Sequence, residues 1–259
     1  MTILAVANQK GGVGKTTTTV NLGTGLAAAG KRVLIVDLDP QGNSSTGLGI
    51  GQAAREIDSY HLLLGEAVLE DAAQATSVPG LRLVPATVDL SGAEVELVDM
   101  SARMHRLERA LASAHADYDY VLIDCPPSLG LLTVNAMVAA DALIVPLQCE
   151  FYALEGLSQL LKTVDRVRDG FNSRLKILGV VLTMFDSRNR LSTMVAEDAR
   201  ACLGSAVFDT SIPRNVRLSE APSHGIPALV YDHRCAGSGA YIALAREVLG
   251  RTEPTRVAA

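Results

Sequence analysis

Tryptophan is absent and aromatic residues make up only 4% of the 259-residue chain, so the interior must be built from aliphatic side chains. Cysteine is scarce. Cys125, Cys149, Cys202 and Cys235 stand without paired spacing, which argues against a disulfide framework or a zinc site and leaves reduced thiols in or near the core. The five histidines are scattered, none with a neighbour at metal-ligand spacing. No apolar run approaches the ~20 residues that a membrane-spanning helix needs. The first residues lack the basic region of a signal peptide and enter an apolar run almost at once, so a cytoplasmic protein is expected. Repeats, low-complexity tracts and Pro/Ser-rich linkers are also missing. The length suits one large domain, expected over residues 1–250, with 251–259 as a flexible tail.

Net charge is −5, which argues against a chain coated with nucleic-acid contacts. Its distribution is uneven. Residues 162–251 carry 13 Lys/Arg against 9 Asp/Glu, a balance of +4, while the remainder carries 10 against 19, or −9. A locally basic region on an acidic protein still suits a phosphate backbone.

Short, continuously apolar runs fall at 2–7, 32–37, 81–85, 119–124, 142–147, 175–183 and 206–208. Continuous rather than alternating hydrophobicity fits a parallel sheet buried on both faces. The expected fold is therefore α/β: a single domain, with a mostly parallel twisted sheet flanked by helices on both faces. Leu97, Met100, Met104, Leu107 and Leu111 keep helical spacing and are expected to line one core-facing helix. Further helices are expected at 17–29, ending at Gly30, at 154–168 and at 190–203. The Gly- and Ser-rich stretch 38–56 is expected to be the mobile part.

The most informative run is Asn8-Gln9-Lys10-Gly11-Gly12-Val13-Gly14-Lys15-Thr16-Thr17. It lies between a strand candidate and a helix candidate. Strand, glycine-rich turn and helix N-terminus together make an anion cradle in which backbone N–H groups and the positive helix end converge on phosphates. Lys15 supplies a point charge for the β- and γ-phosphates, and the Thr16 hydroxyl suits magnesium. The standard phosphate loop would have glycine at position 9, where Gln9 stands. Lys10 is instead a second lysine in a chain that has only five.

Lys10-Gly11-Gly12-Val13-Gly14-Lys15-Thr16 resembles the deviant Walker A motif of the ParA/MinD family of P-loop ATPases. The resemblance continues through Asp37-Leu38-Asp39-Pro40-Gln41-Gly42-Asn43 and Val121-Leu122-Ile123-Asp124-Cys125-Pro126-Pro127. In the stretch Ile212-Pro213-Arg214-Asn215-Val216-Arg217-Leu218-Ser219-Glu220-Ala221-Pro222 it narrows to the ParA/Soj partitioning branch. It implies ATP or ADP with Mg²⁺ as ligands, held by Gly11, Gly12, Val13, Gly14, Lys15, Thr16 and Thr17. Met184, Pro213 and Asn215 would line the adenine. Lys10 would reach across a dimer interface to the partner's nucleotide. Asp39 would orient the attacking water, and Asp124 would hold magnesium through a water while Thr16 ligates it directly. Pro126-Pro127 would sense the γ-phosphate. For Asp37 two roles stay open, metal binding or holding the turn through backbone hydrogen bonds.

The resemblance further implies an ATP-dependent homodimer that binds double-stranded DNA without sequence preference. It would associate with the nucleoid and respond to a ParB-like activator. Arg188, Arg190, Arg214 and Arg217, with Arg246, are the expected DNA face. Positioning of protein cargo over the nucleoid is the nearest alternative. A membrane-cycling division regulator would need a basic amphipathic helix at the C-terminus, where Pro254 and polar residues stand. A redox ATPase would need two cysteines in glycine-rich surroundings, which Cys125 and Cys149 lack.

Overall fold

The structure, a computed structural model, describes residues 1–253. β1 (Thr2–Val6) leads through the glycine-rich loop into α1 (Lys15–Ala28), and β2 (Val33–Asp37) follows. Next come α2 (Asn43–Gly47), α3 (Ser59–Leu64), α4 (Leu69–Ala72), the two-residue β3 (Gln74–Ala75), β4 (Leu81–Val84), α5 (Leu90–Glu96) and α6 (Arg106–Ala110). The second half runs β5 (Tyr120–Asp124), α7 (Leu131–Ala139), β6 (Ala142–Gln148), α8 (Ala153–Gly170), β7 (Lys176–Phe185), α9 (Arg190–Leu203) and β8 (Val207–Pro213). It continues into α10 (Val216–Glu220), α11 (Ala228–Tyr231) and α12 (Ala236–Thr252).

Among the described residues eight strands form one sheet in the order β3-β4-β2-β5-β1-β6-β7-β8. All neighbours pair in parallel except β3 with β4. Alternate residues of each strand feed opposite cores. Leu34 and Val36 of β2 belong to the core that α3, α5, α7 and α8 cover, whereas Val33 and Ile35 belong to the one that holds Leu22 and Leu26 of α1 and Tyr241 and Leu244 of α12. Each of these aliphatic residues is fully buried, and such burial contributes about 1.5–3 kcal/mol per side chain. The continuous apolar runs reflect this two-sided covering. Helix α1 lies close over the sheet because Gly23 faces Ile35 of β2, where a methyl group would come within 2.9 Å of its Cδ1, and close against α12 because Gly25 meets the Ala245 β-carbon in the same way.

The expected strands form within two residues of their bounds, but the run at 206–208 extends through Pro213. Three expectations are corrected. The stripe from Leu97 to Leu111 does not lie on one helix. The chain breaks at 100–105, where Ala102 takes a φ of 52°, and restarts at α6. Its first N–H groups, on Arg106 and Leu107, donate to the Asn135 side chain of α7 at 3.1 and 3.3 Å. A tertiary cap thus overrides the local periodicity, although Leu97, Leu107 and Leu111 are core residues as expected. The stretch 38–56 contains α2 and is anchored by the buried Ser44, Ser45 and Arg55, rather than being a loose loop. Arg251 belongs to the domain and not to a tail. Its guanidinium donates to the Leu178 and Val207 carbonyls and pairs with Glu247 at 2.8 Å. The expectation for 254–259 lies outside the described residues.

Candidate active site

The strand register brings the site's acidic residues together. Asp37 and Asp124 sit side by side at the carboxyl ends of β2 and β5, and Val6 at the end of β1 pairs with Asp124 on its other side. The glycine-rich loop leaves β1 at this edge. Its entry is fixed by Asn8, whose amide donates to the Pro146 carbonyl of β6 at 2.7 Å and whose Oδ1 accepts the Lys10 N–H at 3.0 Å. Gly12 and Gly14 adopt φ values of +74° and +87°, a conformation that glycine takes without steric cost. Thr183 of β7 holds the far side of the loop by donating to the Val13 carbonyl at 2.8 Å. From Gly11 through Thr17 the backbone N–H groups donate no hydrogen bond among the described residues. They open onto one cleft, which is the geometry of an anion cradle.

Lys15 opens α1 and is 7% exposed. Its ammonium donates to the Lys10 carbonyl at 3.0 Å. Burial pushes its pKa down, while the nearby Asp124 carboxylate pulls the other way. The Asp124 carboxylate accepts the Ser44 hydroxyl at 2.7 Å and the Thr19 hydroxyl at 3.3 Å, and the Thr16 hydroxyl lies near enough to favour its ionised form. Burial raises the Asp124 pKa against these donors. For Asp37 the geometry selects one of the two roles left open. Oδ2 accepts both the N–H and the hydroxyl of Ser45, at 2.8 and 2.7 Å, and Oδ1 accepts the Asp39 N–H. Those oxygens hold the turn into α2. Burial and the neighbouring Asp124 charge raise its pKa. Asp39 differs, since Oδ1 accepts the Gln41 N–H at 3.0 Å and the carboxylate lines the phosphate cleft.

That cleft measures about 310 Å³ and is bounded by Gly11, Gly12, Gly14, Lys15, Thr16, Thr17, Asp39, Gln41, Asn43, Pro127 and Met184. A second cleft, also about 310 Å³, shares Gly14, Thr17 and Met184 with it and adds Thr183, Ile212, Pro213, Asn215, Leu218 and Tyr241. Polar cradle and mostly apolar slot are thus continuous through Met184, which takes a φ of 50°. Asn215 has its Oδ1 committed to the Arg217 N–H, capping α10, so only its amide NH₂ is free to face the slot. Tyr241 was not singled out from the sequence. Its hydroxyl meets Thr18 of α1 at 3.2 Å, 223 residues away, a distance at which no local pattern signals the contact.

The arginines divide. Arg188, Arg190, Arg214 and Arg217 cluster at the carboxyl ends of β7 and β8, where the Arg214 N–H donates to the Phe185 carbonyl. Arg246 is exposed on α12. Arg188 pairs with Asp186 at 2.9 Å, which pulls the Asp186 pKa down to about 2. Arg217 pairs with Glu220 at 2.7 Å and lies 3.6 Å from Asp232. Four arginines against Asp186, Glu220 and Asp232 leave +1 on this patch. Arg234 follows two residues after Asp232 and is exposed, so it borders the same patch.

The donor set suits magnesium. Among the described residues no cluster of three or more His, Cys, Asp or Glu could hold a metal by itself. The Thr16 hydroxyl beside the Asp124 carboxylate supplies hard oxygen donors, and magnesium usually completes its shell with water and substrate phosphates. No described helix is long and apolar enough to cross a membrane.

Residues 1–177 match the family model described as an AAA domain. The chain is 62% identical over 251 residues to the chromosome partitioning protein ParA of Caulobacter vibrioides, covering 96% of this chain and 94% of that protein. It is 55% identical over 246 residues to the sporulation initiation inhibitor protein Soj of Bacillus subtilis, covering 95% and 97%. Among solved structures it is similar to cobyrinic acid a,c-diamide synthase of Mycobacterium smegmatis with bound ADP and magnesium. That match has 41% identity and a TM-score of 0.83 over 95% of this chain and 93% of that one.

Proposed function

Because the chain belongs to the ParA/Soj family of P-loop ATPases, we propose that it drives chromosome or plasmid segregation by switching between monomer and ATP-bound dimer. Its ligands are ATP or ADP with Mg²⁺, in keeping with the ligands of the similar solved structure. The observation that carries the reading is the row of unpartnered N–H groups from Gly11 to Thr17 around Lys15.

In this reading Lys15 leaves the Lys10 carbonyl for the β- and γ-phosphates. Met184, Pro213 and the free amide of Asn215 bound the adenine. Thr16 would hold magnesium directly and Asp124 through a water, and the ion would supply charge neutralisation for phosphoryl transfer. Asp39 accepts a hydrogen bond from the attacking water and aligns it. Pro127, on the cleft wall, follows the presence of the γ-phosphate.

Lys10 acts in trans on the partner protomer's nucleotide. Its side chain is 42% exposed, next in the chain to Gly11 of the cleft wall, and the neighbouring Phe151 and Tyr152 are 76% and 64% exposed, as expected of a surface that a second copy covers. The dimer binds double-stranded DNA through Arg188, Arg190, Arg214 and Arg217, with Arg246 extending the face. A patch of +1 per protomer binds weakly alone, and doubling it multiplies the phosphate contacts. A ParB-like partner stimulates hydrolysis, and the ADP form releases the nucleoid. Sedimentation of Lys10→Ala tests the switch: monomeric ATP binding is kept while ATP-dependent dimerisation weakens. Wild-type dimerisation and hydrolysis in that variant would refute the trans role.

A further inference from the structure

Lys10 is not free in the isolated chain. Its ammonium pairs with the Glu150 carboxylate, and the two residues are fixed to the same strand end. Asn8, which holds the Lys10 N–H, is anchored on the Pro146 carbonyl of β6. Glu150 follows two residues after β6. Its N–H donates to the Gln148 carbonyl at 2.9 Å, and its own carbonyl accepts the Ala153 N–H at 3.0 Å at the start of α8. The Glu150 backbone is therefore held at the strand-to-helix junction, which sets where its carboxylate meets Lys10. Both ends of the Lys10 segment, backbone and ammonium, dock on the end of β6.

We propose that Glu150 is an internal competitor for Lys10, an intramolecular counter-ion that must be displaced before the lysine can serve a second copy's nucleotide. The inference rests on the trans reading of Lys10. One ammonium cannot satisfy the Glu150 carboxylate and a partner's phosphates at once, so dimerisation has to break this pair on each protomer. The pair thereby sets a threshold on assembly: it holds the monomer until the partner's nucleotide offers a stronger anion than one carboxylate.

At side-chain exposures of 42% and 32%, each pair is worth a factor of about 1.4 to 5, or about 0.2–1 kcal/mol. Two pairs break per dimer, so neutralising Glu150 multiplies the association constant by about 2 to 25. The experiment is sedimentation equilibrium with saturating ATP and magnesium on the full chain, with circular dichroism to confirm the fold. Glu150→Gln should dimerise more tightly than wild type by that factor, and Glu150→Ala should do so too if the glutamine variant folds poorly.

The Lys10→Ala background separates this role from a merely structural one, because there Glu150→Gln should change nothing. Dimerisation of Glu150→Gln equal to or weaker than wild type would overturn the proposal. So would a tightening that persists without Lys10. Failure of the underlying reading shows elsewhere, as unaltered dimerisation of Lys10→Ala with Glu150 intact, and it takes the proposal with it.

Discussion

Ser45→Ala removes two hydrogen bonds from the segment that joins β2 to α2. The buried Ser45 hydroxyl donates to Asp37 Oδ2 at 2.7 Å and accepts the Ala86 N–H at 3.0 Å. Losing a hydrogen bond to a charged group costs about 1.5–3 kcal/mol, and a buried N–H left without a partner costs about 1–3. The two share one atom and are not additive, so about 3 kcal/mol is the working figure. For a chain of this size that lowers Tm by roughly 6–12 °C. The penalty depends on pH. Burial and the Asp124 charge raise the folded-state pKa of Asp37. The stability tied to its protonated form is therefore full below the ordinary carboxylate range and is lost as pH rises toward neutrality. The Ser45 hydroxyl donates to the ionised form, so its removal costs more at pH 8 than at pH 5. Thermal denaturation of nucleotide- and metal-free protein at the two pH values measures this. A Tm shift below about 2 °C that is the same at both would refute the anchoring of this segment through Ser45.

Asp39→Ala should keep ATP binding and form a stable ATP dimer by light scattering, yet hydrolyse ATP roughly 10²–10⁴-fold more slowly. A monomeric variant would make Asp39 structural. Lys15→Ala should abolish ATP binding in a titration with a fluorescent analogue, and wild-type affinity would contradict the phosphate cradle. Arg217→Glu changes the patch from +1 to −1 per protomer beside Glu220 and Asp232. It should remove DNA binding in a filter assay while ATP-dependent dimerisation persists, and unchanged DNA affinity would remove Arg217 from the face.

Much of the fold is legible because a strand buried on both faces has no alternation to hide it. Val33–Asp37 reads as apolar up to its acidic end, and the structure places that end at the site. The phosphate loop is equally legible, since its chemistry lies in one contiguous run. Most of what escapes is set by distant partners. The broken helix at 100–105 depends on the Asn135 side chain as a cap. The order of 38–56 depends on Ser45 meeting Asp37 and on Arg55 donating to the Ala86 and Ile50 carbonyls. Arg188 and Arg217 read as free cations in sequence, but Asp186 and Glu220 lie two and three residues away and neutralise them in the fold. The Lys10–Glu150 pair joins residues 140 apart in the chain, and no spacing rule reaches that far.

The central claim is that ATP-driven dimerisation creates the DNA-binding face. The most direct measurement is a salt titration of the Asp39→Ala protein with ATP and magnesium on two duplexes of unrelated sequence, beside the same protein with ADP. About four to eight arginine–phosphate contacts per dimer predict an affinity that falls roughly 10²–10⁴-fold between 50 and 200 mM salt, equally for both duplexes. Binding with ADP should be far weaker throughout. Equal binding with ADP, dependence on one duplex sequence, or an affinity that barely responds to salt would contradict the account.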